Sequence, residues 1–241
     1  MSFDPRAVAA IGTDSHLPAL PPERLTPACL RARLGAPPPA WESQAWQEPR
    51  WGDQQAPPLV PAAVLLPLLP GGEAGGGGDD QALDVLLTQR TLHLSTHSGQ
   101  IAFPGGQVDA ADASAVATAL REAEEEVGLE RDFVEVIGTL PTYCTGTRFA
   151  ITPVVALVRP GYAIRPNPQE VDDVFAVPLA WLMNPAHHRR HALRVQGQRR
   201  EWYSMPYPEP RQDGAREPHT ERFIWGATAA MLRNLYRLLA A

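Results

Sequence analysis

The stretch Phe103-Pro-Gly-Gly-Gln-Val-Asp-Ala-Ala-Asp-Ala-Ser-Ala-Val-Ala-Thr-Ala-Leu-Arg-Glu-Ala-Glu-Glu-Glu-Val-Gly-Leu129 decides how the rest of the chain is read. Alanines at 113, 115, 117, 119 and 123 favour helix strongly, so the sequence predicts a helix over Ala115 to Val127. Asp112 is a reasonable N-cap, and Gly128 supplies the left-handed turn that ends the helix. Val116, Leu120, Ala123 and Val127 share one face, which is expected to pack inward. Glu122 and Glu126 are four residues apart and Glu125 is three from Glu122, so the three carboxylates project from one sector of about 100°. Like charges at that spacing destabilise a helix by a few tenths of a kcal/mol per pair. Such a sector is therefore either left in water or used to hold a cation, and carboxylate oxygens suit Mg²⁺ or Mn²⁺. A glycine turn precedes the helix, where a backbone carbonyl can approach a metal more closely than one flanked by a side chain. That tips the reading toward a site. Arg121 stands four residues before Glu125 and can orient it, whereas Glu124 points away from the sector.

Working outward, Val60 to Leu69 and Leu83 to Arg90 read as two strands joined by a floppy hairpin connection carrying Gly75 to Gly78. That connection lacks the GK[ST] ending of a phosphate-binding loop. After the helix come strand candidates at Val134 to Leu140, Phe149 to Val158, Asp173 to Val177 and Trp202 to Tyr207. A helix is expected from about Thr220, with Ile224, Ala227, Met231, Leu235 and Leu238 forming one apolar stripe. The stripe is most simply a core-packing face, and periodicity alone leaves a homodimer interface open. The sum is an α+β or α/β architecture: a mixed β-sheet sandwiched between helices. Residues 1–56 read as an N-terminal extension, and residues 57–241 as the main domain with its closing helix. Within the extension, Pro27 to Leu34 can form a short helix ended by Gly35. Trp41, Trp46 and Trp51 are read as pinning this arm to the main domain by aromatic burial.

Composition restricts the function classes. A chain of 241 residues with 44% hydrophobic and 20% charged residues is an ordinary globular protein, with one domain plus extensions or two small domains. A net charge of −6 argues against nucleic acid as the main partner but not against a small anionic substrate. The 26 prolines are about twice the usual share of roughly 5%, and they foretell prominent loops in the first 70 residues and between Pro153 and Pro218. The strongest apolar run, Leu59 to Leu69, is too short to span a bilayer, so no membrane partner is expected. Cys29 and Cys144 show neither metal spacing nor a disulfide framework, and a reducing cytoplasm is the expected compartment. Cys144 has no neighbouring base and is not read as a nucleophile, and no GxSxG or GxGxxG pattern is present. His187, His188 and His191 stand among arginines without an acidic partner and read as a solvated basic loop.

Gly106 followed by Arg121-Glu-Ala-Glu-Glu-Glu-Val-Gly-Leu129 resembles the Nudix box over residues 106–129, whose second half is REUxEExGU with U apolar. The first half departs, with Asp112 in place of the usual glutamate and one extra residue before Arg121. Leu86-Leu-Thr-Gln-Arg90, His97-Ser-Gly-Gln100, Phe103-Pro-Gly-Gly106, Asp109 and Asp112 are similar to the lead-in of the coenzyme A pyrophosphatase subgroup of Nudix hydrolases. Ile151-Thr-Pro153, Glu170, Phe175, Pro178-Leu179 and Phe223-Ile-Trp-Gly226 extend the likeness over roughly residues 57 to 240. Ser95 stands where that subgroup usually has an arginine.

The resemblance implies a hydrolase that cleaves the diphosphate of coenzyme A, releasing 3′,5′-ADP and 4′-phosphopantetheine, with Mg²⁺ or Mn²⁺ as cofactor. It implies Glu122 and Glu126 as metal ligands, Glu125 as a further ligand or water-positioning group, and Gly106 lending its backbone. Glu125, Arg121 and Glu170 are the candidate catalytic residues, and Arg90, His97, Gln100 and Arg148 the candidate substrate contacts. Two alternatives are a Nudix enzyme for another nucleoside diphosphate derivative, such as ADP-ribose, NADH or a dinucleoside polyphosphate, and a non-catalytic nucleotide sensor of the same fold. A sensor has no need of the acidic sector.

Overall fold

The structure, a computed structural model, describes residues 4–36, 58–71, 82–91, 99–146, 148–195, 198–208 and 221–241. Its strands are β1 (Ala10–Thr13), β2 (Val60–Pro70), β3 (Leu83–Arg90), β4 (Ile101–Ala102), β5 (Gly105–Gln107), β6 (Val134–Thr139), β7 (Tyr143–Cys144), β8 (Phe149–Val158), β9 (Val171–Pro178), β10 (Arg189–Val195), β11 (Gln198–Pro208) and β12 (Glu221–Trp225). The α-helices are α1 (Pro27–Gly35), α2 (Ala115–Val127), α3 (Leu179–Leu182) and α4 (Gly226–Ala240).

β2 is the spine of the larger sheet. It runs parallel to β8 from Val60↔Phe149 to Leu68↔Leu157, and antiparallel to β3 and β5 on its other side. β3 also pairs with β9 and β4, and β8 with β6 and β7, so the sheet is mixed. A strand covered on both faces is apolar throughout rather than alternating, and the run Ala62 to Leu69 obeys this. Ala63, Leu65 and Leu69 face α2 together with Val154 and Ala156, while Leu66 and Leu68 face the opposite core with α1 and α4. The expected sheet between helices is therefore what forms. Pro67 is tolerated because Leu65 N–H, of the same parity, points away from β8 to the Pro104 carbonyl. The missing donor of Pro67 thus faces the gap before β2 begins to pair with β3 at Leu68.

A second sheet runs β1-β10-β11-β12. It occupies part of the proline-rich stretch, where prominent loops are expected beside the strand over Trp202 to Tyr207, because Met205, Tyr207 and Ile224 find burial against the core that α4 closes. The last helix also begins later than expected. Glu221–Trp225 pairs with β11 from Pro208 to Ser204, and Gly226, at φ +61°, turns the chain from strand into α4. Of the expected stripe, Ile224, Met231, Leu235 and Leu238 are buried in the core, so it serves as a core-packing face. Arg222 on β12 donates to Gln89 Oε1 at 2.8 Å and to Asp173 Oδ2, and lies 4.5 Å over the Phe175 ring, tying this sheet to β3 and β9.

The N-terminal segment is woven into this frame. β1 extends the second sheet, and Leu25, Leu30 and Leu34 enter the main core. Arg24 Nη1 donates to the Leu239 and Ala240 carbonyls, satisfying orphan acceptors at the end of α4. Asp14, 3% exposed, accepts from Arg233 Nε and Nη2 at 2.9 Å and pairs with Arg190 at 3.3 Å. The three histidines are not a solvated loop. His188 and His191 are buried, with ring nitrogens bonded to the Leu182 and Val8 carbonyls, and His187 stacks on Trp181 at 4.0 Å. The α3 turn and the N-terminal segment cover them, which local polarity does not foretell. Trp41, Trp46, Trp51 and the Gly75 to Gly78 connection lie outside the described residues. Among those described, no helix is long and apolar enough to cross a membrane, and Cys29 and Cys144 are both free.

Candidate active site

α2 forms over the expected residues, but Asp112 is not its cap. Ser114 Oγ accepts from Ala117 N–H at 3.2 Å instead. Asp112 is committed elsewhere: Oδ2 accepts from Asp109 N–H at 2.9 Å, Thr118 Oγ1 at 2.9 Å and Arg121 Nη2 at 3.0 Å, and Oδ1 from Arg121 Nε at 3.1 Å. Bonds to the charged form hold its carboxyl far below the usual range, with the Arg121 contact the largest cause. At the other end Gly128 adopts φ +67°, as expected of a left-handed C-cap. A Cβ there would also stand 3.0 Å from Arg165 Cβ.

The three carboxylates of the sector meet three different environments. Glu126 is 2% exposed, with Oε2 accepting from Gly105 N–H at 3.1 Å and Oε1 from Arg90 Nη1 at 3.2 Å. Burial pushes its carboxyl up to about 7, against the pull of Arg90 and the Gly105 amide, while Glu122 and Glu170 push it further. Glu122 is half-buried and 3.0 Å from Arg121 Nη1. Its carboxyl is also raised, first by burial and then by Glu125 and Glu170, against Arg121. Glu125 is largely exposed and gives its carboxylate to Arg121 Nη1 at 3.0 Å. Arg121 is the hub, since its guanidinium also reaches the Gln107 carbonyl at 3.3 Å and Asp109 at 3.7 Å. The acidic surroundings raise its own pKa. Glu124 points away, as expected, and pairs with Arg131 at 3.2 Å.

The glycines before α2 work by closeness rather than by a turn. Gly105 and Gly106 lie in β5, paired with Val64 and Ala63, and neither has a positive φ. A Cβ on Gly106 would fall inside the Glu122 carboxylate, and one on Gly105 would stand 2.5 Å from the Ala63 carbonyl oxygen. At Gly105 the obstacle is backbone, so glycine is what lets β5 lie flat against β2, whereas a side chain at Gly106 would displace the Glu122 carboxylate.

The remaining candidates are distributed unevenly. Arg90 is in the cluster, and its N–H donates to the Gln100 carbonyl at 3.0 Å, which places Gln100 beside it. Glu170 belongs to a loop docked on the end of α2, close enough for its charge to raise both Glu122 and Glu126. Arg148 lies elsewhere, at the start of β8. Its carbonyl accepts from Val60 N–H, four strand residues, or about 13 Å at 3.3 Å each, from the Val64 that pairs with Gly105. His97 and Ser95 lie outside the described residues. The residues missed from sequence are Gly105, whose amide grips Glu126, and Asp112, whose role is to fix Arg121. The nine-residue spacing from Asp112 to Arg121 held no signal, because Asp112 stands outside α2, before its Ser114 cap, and a helical face pattern does not reach it.

Among the described residues, no three His, Cys, Asp or Glu side chains already converge on one point as a cation cage. Arg121 holds Glu125 aside and Arg90 occupies one oxygen of Glu126. The donor chemistry nevertheless fits a hard divalent cation: Glu122 and Glu126 are carboxylates raised first by burial and then by neighbouring carboxylates, Glu125 and Glu170 at Glu122 and Glu122 and Glu170 at Glu126, which is what a cation relieves.

The family model described as the NUDIX domain matches residues 74–212. The chain is 40% identical over 175 residues to NudL of Escherichia coli strain K12, called an uncharacterized Nudix hydrolase, covering 72% of this chain and 80% of that one. The protein of the same name in Shigella boydii serotype 18 is 39% identical over the same share of both chains. Among solved structures, the Caenorhabditis elegans Ap4A hydrolase binary complex is similar with a TM-score of 0.40 and 18% identity, over 53% of this chain and 86% of that one.

Proposed function

The chain belongs to the Nudix hydrolase family, and from that premise we propose that it cleaves the diphosphate of coenzyme A or a coenzyme A derivative. The products are 3′,5′-ADP and 4′-phosphopantetheine, or its acylated form. The observation that carries the reading is the lead-in to α2. Phe103-Pro-Gly-Gly106 with Asp109 and Asp112 is the sequence similar to the coenzyme A subgroup, and each part has a physical use here. The glycines admit β5 against Glu122, and Asp112 fixes Arg121 by two hydrogen bonds.

Glu122 and Glu126 would hold Mg²⁺ or Mn²⁺, with Glu125 as a third carboxylate and Gly106 at the close approach. When bound, the cation supplies an acidified water and neutralises charge developing on the phosphates. The protein's own groups do the rest. Arg121, fixed by Asp112, orients Glu125 and Glu122. Gly105 N–H and Arg90 hold Glu126 in one rotamer, so that both oxygens have defined directions. Glu170, which stands near both Glu122 and Glu126, takes the proton of the attacking water, and the anhydride bond to the leaving phosphate breaks. Glu125, already shared with Arg121, serves the ligand set rather than the proton transfer.

Ser95, in place of the subgroup's arginine, favours a second reading: a Nudix hydrolase for another nucleoside diphosphate derivative. One experiment separates the two. The protein with Mg²⁺ or Mn²⁺ is incubated with coenzyme A, acetyl-coenzyme A, ADP-ribose, NADH and a dinucleoside polyphosphate, and the products are identified by chromatography. Release of 3′,5′-ADP from coenzyme A is expected. Turnover of ADP-ribose alone overturns the coenzyme A reading, and turnover of none overturns the hydrolase reading in favour of a sensor.

A further inference from the structure

The loop bearing Glu170 is held from two sides. On one side it caps the catalytic helix: Arg165 N–H donates to the Val127 carbonyl and Asn167 N–H to the Glu126 carbonyl, both at 2.8 Å. These are acceptors that the end of a helix leaves without intrahelical partners. Within the loop, Asn167 closes a turn. Its Oδ1 accepts from Gln169 N–H at 3.1 Å, and its carbonyl accepts from Glu170 N–H at 3.0 Å and Val171 N–H at 2.9 Å. On the other side stands Thr91, which is 6% exposed. Thr91 N–H donates to the Glu170 carbonyl at 3.0 Å, and Thr91 Oγ1 to the Gln169 carbonyl at 3.3 Å. The peptide that carries the Glu170 Cα is therefore gripped at both of its flanking carbonyls by one residue.

Thr91 follows Arg90 directly, and Arg90 grips Glu126. The β3–β9 register slips between Gln89 and Arg90, opposite Asp173 and Val171. Such an irregularity re-aims the residues after it, and here it lets two consecutive residues of one strand end serve two carboxylates. Resting on the proton-acceptor role given to Glu170 above, we propose that Thr91 is a positioning residue: its hydroxyl fixes the Gln169–Glu170 segment so that the Glu170 carboxylate stands over the Glu122–Glu126 pair. The backbone anchors on Val127 and Glu126 do not involve Thr91, so loss of the hydroxyl leaves the loop docked but frees the orientation of Glu170. Partners that orient a site group from behind are commonly worth about 10- to 100-fold in metal affinity or activity.

The test uses Thr91→Val, Thr91→Ser, Glu170→Gln and the double variant Thr91→Val/Glu170→Gln in the full chain. Three readouts are taken: the kcat and KM of the substrate found in the panel, Mn²⁺ affinity by electron paramagnetic resonance, and melting temperature. Thr91→Val is expected to lower kcat roughly tenfold with KM within about twofold, and to weaken Mn²⁺ binding several-fold, with Thr91→Ser restoring both. In the Glu170→Gln background, Thr91→Val is expected to add almost nothing, since its effect runs through that carboxylate. Additive losses overturn the proposal, as does Thr91→Val at wild-type kcat and Mn²⁺ affinity while Glu170→Gln is impaired; either result leaves the hydrolase reading intact. Wild-type behaviour of Glu170→Gln removes the premise and the proposal with it. If the wild type turns over no diphosphate, the hydrolase reading fails by itself, and unchanged Mn²⁺ affinity in Thr91→Val then overturns the positioning role too. A melting temperature lowered by Thr91→Val and equally by Thr91→Ser, with Mn²⁺ affinity unchanged, marks Thr91 as structural and also overturns it.

Discussion

Two acidic residues of this protein are almost equally buried, Glu126 on α2 at 2% exposure and Asp14 beside α4 at 3%, yet they are treated in opposite ways. Asp14 meets two arginines: Arg233 donates twice, and Arg190 adds a third contact. Glu126 meets one arginine and one amide, while the charges of Glu122 and Glu170 act against it. A buried charge matched by its partners is a fastening, and here it ties the N-terminal segment to the last helix and the second sheet. A buried charge left under-compensated among like charges is, on the function proposed above, where a cation would bind. Burial alone therefore does not mark the site. The balance of charge around it does.

The largest consequence is expected at Glu126. Glu126→Gln keeps the shape and removes the charge, so activity should fall by about three orders of magnitude or more while the metal-free protein melts no lower than the wild type. Near wild-type turnover would remove Glu126 from the ligand set and erase the contrast. The complementary change, Asp14→Ala, leaves Arg233 buried without its partner and should cost about 3–5 kcal/mol in chemical denaturation, with kcat per folded molecule unchanged. A loss of turnover at full stability would mean that the fastening also belongs to the chemistry.

Between these stands Asp112, which is outside the acidic sector but controls its arginine. Asp112→Asn keeps the volume and weakens the hold on Arg121, so kcat should fall roughly 10- to 100-fold with little change in melting temperature. Steady-state kinetics beside thermal melting decide it, and an unchanged kcat would show that Glu125 and Glu122 need no such anchor.

How much of this was legible in the sequence follows the same division. α2, β8 and the opening strands were readable because periodicity, alanine content and the C-cap glycine are local signals, and the acidic sector follows from helix geometry alone. What depends on distant partners was not readable. Asp112 and Ser114 are equally good caps by composition, and the choice between them is made by Arg121, nine residues on. Ile224 fits the helical stripe of α4 as well as it fits a strand, and only pairing with Met205 across β11 decides for the strand. His188 and His191 are polar by type and buried by tertiary cover, and the strap that puts Glu170 near Glu126 closes over 44 residues of chain.

The finest test of the contrast is stability against pH, because two buried groups pull in opposite directions over one window. Glu126 has its folded pKa raised to about 7 from 4.5, so the native state holds the extra proton. Its contribution is present at low pH and is lost as pH rises through that range. Burial lowers His188 to about 4 from 6.5, so the unfolded chain holds the extra proton, and stability is lost as pH falls from about 6.5. Between about pH 7 and 5 each amounts to about 2 kcal/mol, with opposite sign, so the metal-free wild type should change little from these two groups. Glu126→Gln removes one side of that balance and should lose about 2 kcal/mol on acidification over the same range. Saturating Mg²⁺ should do the same to the wild type, since a cation favours the charged carboxylate and binds less tightly as protons compete for it. Denaturation of both proteins at pH 7 and 5, and of the wild type also with Mg²⁺, measures all three cases. A variant as flat as the wild type would show that Glu126 carries its charge at neutral pH without a cation, which would make it a second Asp14.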